Sequence, residues 1–174
     1  PPMTAYKSDV DTAAAILLTP GGLDLEALET GLGYAMGAGI DYADLYFQRT
    51  WQEGWVLEDG EVKEASYNID GGVGVRSLAG EKTGFAYSNQ ITADALMDTG
   101  RTAAGIVRRG QRLPGQLVRP VSAMSRYAGI DPLAGLSAED KVAMLKQADK
   151  IARAADPSIS QVSASLSGTY DVVL

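Results

Sequence analysis

With 15 lysine and arginine residues against 22 aspartate and glutamate, this chain of 174 residues has a net charge of −7, and it contains neither histidine nor cysteine. The acidic balance disfavours a phosphate backbone as partner, so nucleic-acid binding is not expected. The missing residue types exclude a disulfide, an imidazole base and any ordinary zinc site.

The length suits one domain whose core needs no covalent staple. The early apolar run from Ala13 to Leu18 is far too short to cross a bilayer, so no membrane partner is expected, and a cysteine-free chain fits a reducing, cytoplasmic compartment. Pro1-Pro2 ahead of Met3 reads as an addition to the natural start and is left out of the fold.

A short helical turn is expected from Asp9 to Leu18, ended by Thr19-Pro20-Gly21-Gly22. Asp24 is placed to cap a following helix whose apolar stripe is Leu25, Leu28, Leu32, Ala35 and Met36, closed by Gly37 and Gly39. Gly31 and Gly33 inside it each cost roughly 1 kcal/mol relative to alanine. That helix therefore depends on packing, expected against a sheet.

From Asp41 to Asn89 the chain reads as an antiparallel meander of about five strands, rich in aromatic residues at Tyr42, Tyr46, Trp51, Trp55, Tyr67 and Tyr87. Asp59-Gly60 between WVLE and EVKEA is the pattern of a type I′ hairpin turn. A second turn is expected around Ala79-Gly80-Glu81, and Asn68 to Gly72 is expected to break the middle strands.

Thr92 then caps a helix running to about Arg109, with Leu96, Gly100, Ala103 and Val107 as a stripe of mostly small side chains. Residues 111–136 carry three prolines without a clear period and read as a long connector. The arginines at 108, 109, 112, 119 and 126 are spread out, as solvated charges are, and are assigned no function. Ser137 and Asp140 form a capping box that opens a further helix, in which Ala138, Val142, Leu145, Ala148, Ala152 and Ala155 share a face and Asp156-Pro157 marks the end.

Gln161 to Ser167 alternates as a strand, Ser167-Gly168 reads as a turn, and Tyr170 to Leu174 starts a partner strand, a hairpin truncated at its second arm. The expected fold class is therefore α+β: the meander packed with about three helices, plus this C-terminal hairpin.

Familiar chemistries fail one by one. A serine nucleophile lacks its usual base. GGVGVRSLAG is followed by a strand, where a dinucleotide fingerprint requires a helix. Asp59, Glu61 and Glu64 gather at a hairpin tip, where solvated turn residues suffice as explanation. No catalytic or metal-binding residue is assigned.

A strip of small residues is left. Strand alternation puts Gly72, Gly74 and Arg76 on one face of GVGVRSL, and Gly84, Ala86 and Ser88 on one face of KTGFAYS. If Leu78 pairs with Lys82, Gly74 lies opposite Ala86 and Arg76 opposite Gly84; another register would split the strip. Two readings are open. A helix with a small-residue face, such as the one after Thr92, packs closely on it, or Gly72, Gly74, Arg76, Gly84 and Ala86 floor a groove for an extended peptide, with β-augmentation at an exposed edge.

These residues carry a resemblance. The segments DYADLYFQRTWQEGWVLEDGEVKEASYNIDGGVGVRSLAGEKTGFAYSNQI, IDPLAGLSAEDKVAMLKQADKIARAAD and VSASLSGTYDVVL resemble the N-terminal domain of the TldD/PmbA family, from about Leu25 to Leu174 and least in 111–124. YNIDGGVGVR and GEKTGFAY look more like its TldD branch. The resemblance implies a cytoplasmic zinc metallopeptidase working with a PmbA-type (TldE) partner subunit on unfolded peptides.

It also implies that the H-E-x-x-x-H motif and a cysteine ligand belong to a C-terminal domain beyond Leu174. This fragment is then expected to be inactive and to hold no cofactor itself. The alternative is an independent binding module that uses an exposed sheet edge. An older family label, modulator of DNA gyrase, has no support in a chain of net charge −7.

Overall fold

The computed structural model describes residues 9–37, 39–107 and 130–174. The elements in chain order are α1 (Asp9–Leu17), a single 3₁₀ turn (Thr19–Gly21), α2 (Leu25–Ala35), β1 (Tyr42–Glu58), β2 (Glu61–Ala79), β3 (Lys82–Ser88), α3 (Ala93–Val107), α4 (Ala138–Ala155) and β4 (Ser163–Val173). The fold class is α+β, with a four-stranded sheet in the order β3-β2-β1-β4. No helix among the described residues is long and apolar enough to cross a membrane.

The chain divides into two compact units, one from the described parts of Pro1–Arg49, Asp70–Gly129 and Val172–Leu174, the other from Thr50–Ile69 and Ile130–Asp171. The three long strands pass through both.

Helix boundaries follow the capping chemistry of the sequence. The Asp24 carboxylate accepts from the backbone N–H of Ala27 at 2.8 Å, and Thr92 Oγ1 accepts from that of Ala95 at 3.3 Å. At α4 the Ser137 and Asp140 capping box is complete in both directions. Asp59 and Gly60 adopt φ of 49° and 79°, as a type I′ turn requires.

In the first unit α2 and α3 pack closely through their glycines. A Cβ on Gly31 would lie 2.5 Å from Leu96 Cγ, and one on Gly100 would lie 2.9 Å from the carbonyl oxygen of Gly31. Gly31 of α2 thus admits a neighbouring helix, whereas its cost alone pointed only to packing on a sheet. The core here includes Leu17, Ala35, Phe47, Val73, Val75, Leu96 and Ala103. Buried Ser77 donates its hydroxyl to the Ala35 carbonyl at 2.8 Å, which satisfies an orphan acceptor at the end of α2.

Three expectations about the strands are corrected. The stretch from Asn68 to Gly72 does not break the chain; it runs inside the 19-residue strand β2, so the meander has three strands, two long and one short, where about five were expected. Ser167-Gly168 is not a turn either. β4 is continuous and pairs antiparallel with β1: Phe47 and Leu174 exchange both backbone hydrogen bonds, at 2.9 and 3.0 Å.

Gly168 serves a close approach, since a Cβ there would meet Leu133 Cδ2 at 2.6 Å. The third correction is register. β2 and β3 pair Ala79 with Lys82, so the loop is the two residues Gly80-Glu81, with Gly80 at φ 57°. Asp41 holds it, its carboxylate accepting from the Gly80 N–H at 2.7 Å.

In the second unit α4 has the expected limits but a different buried face. Its inward residues are Lys141, Leu145 and Asp149, while Ala148 and Ala155 are exposed. Lys141 is held by Glu53 at 2.7 Å and by the Leu133 carbonyl at 2.9 Å. Arg153 bridges Asp149 at 3.1 Å and Asp59 at 2.5 Å. Paired charges, not alanines, face the strands. Trp51 and Tyr170 stack at 5.4 Å, directly across β1 and β4. The five connector arginines lie outside the described residues, as does most of the connector; its last part, 130–136, is irregular.

Candidate functional site

The observed register divides the expected strip. Arg76 pairs with Phe85, Gly74 with Tyr87, Ser77 with Gly84 and Val75 with Ala86. Residues directly opposite share a face. Gly74 and Arg76 therefore share a face with Phe85 and Tyr87, as Gly72 does by strand alternation, while Gly84 and Ala86 share the other with Val73, Val75 and Ser77. A change of one position in pairing sent half of the strip to each side.

The face with Gly84 is used for packing. A Cβ on Gly84 would fall 2.1 Å from the Ala103 carbonyl oxygen and 2.4 Å from Val107 Cγ2, so α3 lies directly on that glycine. The small stripe of α3 meets the small residue of β3, and close helix packing accounts for this half.

The other face is open. Phe85 and Tyr87 are 56% and 78% exposed, and their rings stack with centroids 6.5 Å apart. Tyr42 and Tyr46 on β1 are also exposed. Between them lies Gly74, where a Cβ would stand 3.2 Å from Phe85 Cε2 and 3.9 Å from Tyr46 Cβ. The absent side chain lets the aromatic residues of β1 and β3 close over β2. Gly72 is bare for another reason, because a Cβ there would meet the Ser88 carbonyl oxygen at 2.1 Å.

One ion pair stands on this face. Arg76 donates to Asp44 Oδ2 from Nη2 at 2.5 Å and from Nε at 3.0 Å. Both hydrogen bonds end on the same oxygen. The Asp44 carboxylate raises the Arg76 pKa above its ordinary value, through the hydrogen bond first and then through charge. Both partners keep contact with water. Arg76 can therefore turn toward an incoming carbonyl or carboxylate without leaving an abandoned charge in a dry interior.

Among the described residues β3 is also an edge strand of the sheet. Beside it runs a groove lined by Ala86, Tyr87 and Ser88 of β3 and by Asp94, Asp98 and Thr102 of α3. An edge strand next to a polar helix face offers unpaired backbone groups to an added strand. Sequence reasoning missed this groove and the aromatic character of the open face. The alternation of Phe85 and Tyr87 was visible, but which face of β2 they joined depended on the two-residue loop.

The donor set does not suit zinc. The chain has no histidine or cysteine, and among the described residues no three acidic side chains gather as ligands. No metal-dependent step is assigned to these side chains.

Comparison with known proteins now adds to this geometry. A family model described as PmbA/TldA metallopeptidase domain 1 matches residues 43–107, and one described as the PmbA/TldA metallopeptidase central domain matches residues 131–174. A protein from Haemophilus influenzae named Metalloprotease TldD homolog is 45% identical over 160 residues, which cover 91% of this chain and 33% of that protein. Another of that name, from Buchnera aphidicola, is 39% identical over 140 residues, covering 78% of this chain and 28% of that protein.

The chain thus spans about a third of the length of these relatives. Among solved structures, TldE from Thermococcus kodakarensis aligns with a TM-score of 0.62 at 17% identity, over 85% of this chain and 34% of that one. At that identity the likeness is one of fold.

Proposed function

Because this chain belongs to the PmbA/TldD metallopeptidase family, we propose that it is the N-terminal, non-catalytic part of a TldD-like zinc metallopeptidase, contributing peptide capture and subunit contacts. In this reading the natural chain continues past Leu174 into the domain that binds zinc and cleaves, and this fragment by itself is inactive. The partner is a PmbA/TldE-type subunit, the substrate an unfolded peptide and the compartment the cytoplasm. The absence of cysteine supports the last of these.

The observation that carries peptide capture is the Arg76–Asp44 pair set among exposed Tyr42, Tyr46, Phe85 and Tyr87, whose rings close over buried Gly74. Aromatic faces take up varied side chains, and a half-exposed guanidinium takes a backbone carbonyl or a terminal carboxylate. Such a surface suits a substrate without fixed sequence. Of the residues first assigned to the groove, Gly72, Gly74 and Arg76 stay on this face. Gly84 and Ala86 belong to the packing side, with Ala86 also at the rim of the edge groove.

The test uses the full-length protein. Gly74→Val and Arg76→Ala should each lower peptide turnover while zinc content stays at the level of the parent. Unchanged turnover in both would return these residues to a purely structural role.

A further inference from the structure

The guanidinium of Arg76 is only half used. Its hydrogen bonds to Asp44 leave from Nε and Nη2, at 3.0 and 2.5 Å, and among the described residues Nη1 meets no acceptor. A guanidinium presents two flat edges, one made by Nε with Nη2 and the other by Nη1 with Nη2. Asp44 holds the first. The second is free, on a side chain that is 49% exposed. Arg76 pairs directly with Phe85 across β2 and β3, and Tyr87 stacks on Phe85 at the next position of the same face.

We propose that these groups capture the C-terminal end of an unfolded peptide, with its terminal carboxylate on the free edge of Arg76 and an apolar last side chain on Phe85 and Tyr87. The inference rests on the peptide-capture reading and names the part of the peptide that is held.

Charge selects the occupant. A carboxylate brings two oxygens and a negative charge to a flat pair of N–H donors, whereas a carbonyl inside a peptide brings one oxygen and no charge. Asp44 stays in place, because the two carboxylates take different edges. Spacing selects a chain end over an acidic side chain. Arg76 and Phe85 stand directly opposite, as residues with Cβ atoms about 5 Å apart do, so carboxylate and apolar group must lie a few bonds from each other. A C-terminal residue carries both on one Cα. In glutamate the carboxylate ends the side chain itself and leaves the rings to another residue.

The test is an NMR titration of the isotope-labelled 174-residue chain with three N-acetylated pentapeptides. One is alanine-rich and ends in leucine with a free carboxylate, the second is its C-terminal amide, and the third is that amide with glutamate at the centre. The acid should bind about five- to tenfold tighter than either amide and shift the backbone signals of Arg76, Phe85 and Tyr87. Arg76→Gln should bring the acid down to the level of the amides. Asp44→Asn, which removes a competing negative charge, should tighten the acid alone, and a purely structural pair would do neither. The preference should shrink with added salt.

Equal binding of acid and amide, with shifts on this face, overturns the chain-end inference and leaves peptide capture standing. So does a glutamate-bearing amide that binds as tightly as the acid, or a preference that Arg76→Gln keeps. Binding of none of the three at about 10 mM peptide overturns the inference together with peptide capture at this face.

Discussion

Gly84 of β3 lies so close to α3 that a methyl group on its Cα would stand 2.1 Å from the carbonyl oxygen of Ala103. The obstacle is backbone, which cannot rotate away. Gly84→Ala should therefore push α3 off the sheet and lower the stability of the chain by about 2–3 kcal/mol, at the upper end for overpacking. At Gly74 the nearest atom is the edge of the exposed Phe85 ring, at 3.2 Å. Gly74→Ala should cost less than about 1 kcal/mol. Urea unfolding of the two variants distinguishes them, and equal losses would mean that the open face is as tightly packed as the covered one.

Lys141 offers three protons, and the Glu53 carboxylate and the Leu133 carbonyl take them at 2.7, 2.9 and 2.9 Å, with lysine and glutamate side chains only 7% and 12% exposed. Lys141→Met leaves Glu53 charged and nearly dry, which should cost about 3–5 kcal/mol. The double variant Lys141→Met with Glu53→Leu removes both charges and should recover much of that loss. Thermal melts of the two single variants and the double give the coupling, and strict additivity would place this pair effectively in solvent.

Asp59 carries a pH signature. Its pKa is lowered, first by the hydrogen bond from the Val162 N–H and then by Arg153. A group whose folded pKa lies below its unfolded value adds stability above the unfolded value, and that stability is lost as pH falls through the folded one. Asn at this position still accepts from Val162 and tolerates positive φ. Asp59→Asn should thus lower the urea midpoint at neutral pH and converge with the parent below the ordinary aspartate range. Curves that stay parallel through that range and below it would remove Asp59 from the acid transition.

The Arg76–Asp44 pair should matter little to folding. Both side chains keep water contact, and exposed ion pairs of this kind contribute little to stability. Arg76→Ala should leave the thermal midpoint within error of the parent, at low and at high salt. A clear loss of stability would make the pair structural and weaken the case for peptide capture.

Local chemistry was legible from the residues alone. Asp24, Thr92 and Ser137 with Asp140 cap the helices they were read to cap, because a cap needs only a short side chain and the next turn of backbone. Asp59-Gly60 makes its turn for the same reason, as few residues accept positive φ twice in succession. The stripe of α3 was also legible, with Leu96, Gly100, Ala103 and Val107 all buried.

Wherever a residue type has two uses, its neighbours in space decide. Glycine was read as a break at Asn68 to Gly72 and as a turn at Ser167-Gly168, yet both stretches are strand, and Gly168 makes room for Leu133. Alanine spacing suggested one face of α4, but Lys141 found Glu53 across the chain, Asp149 paired with Arg153 one turn on, and both took the inside.

The strip of small residues joins both lessons. The sequence by itself determined that Gly72, Gly74 and Arg76 share one face of a strand and Gly84 and Ala86 one face of the next, because side chains alternate with period two. Whether those faces coincide was left to the two-residue loop at Gly80-Glu81 and the Asp41 carboxylate that holds it. A one-residue difference in register exchanges the faces of a strand, and only the tertiary structure holds that register.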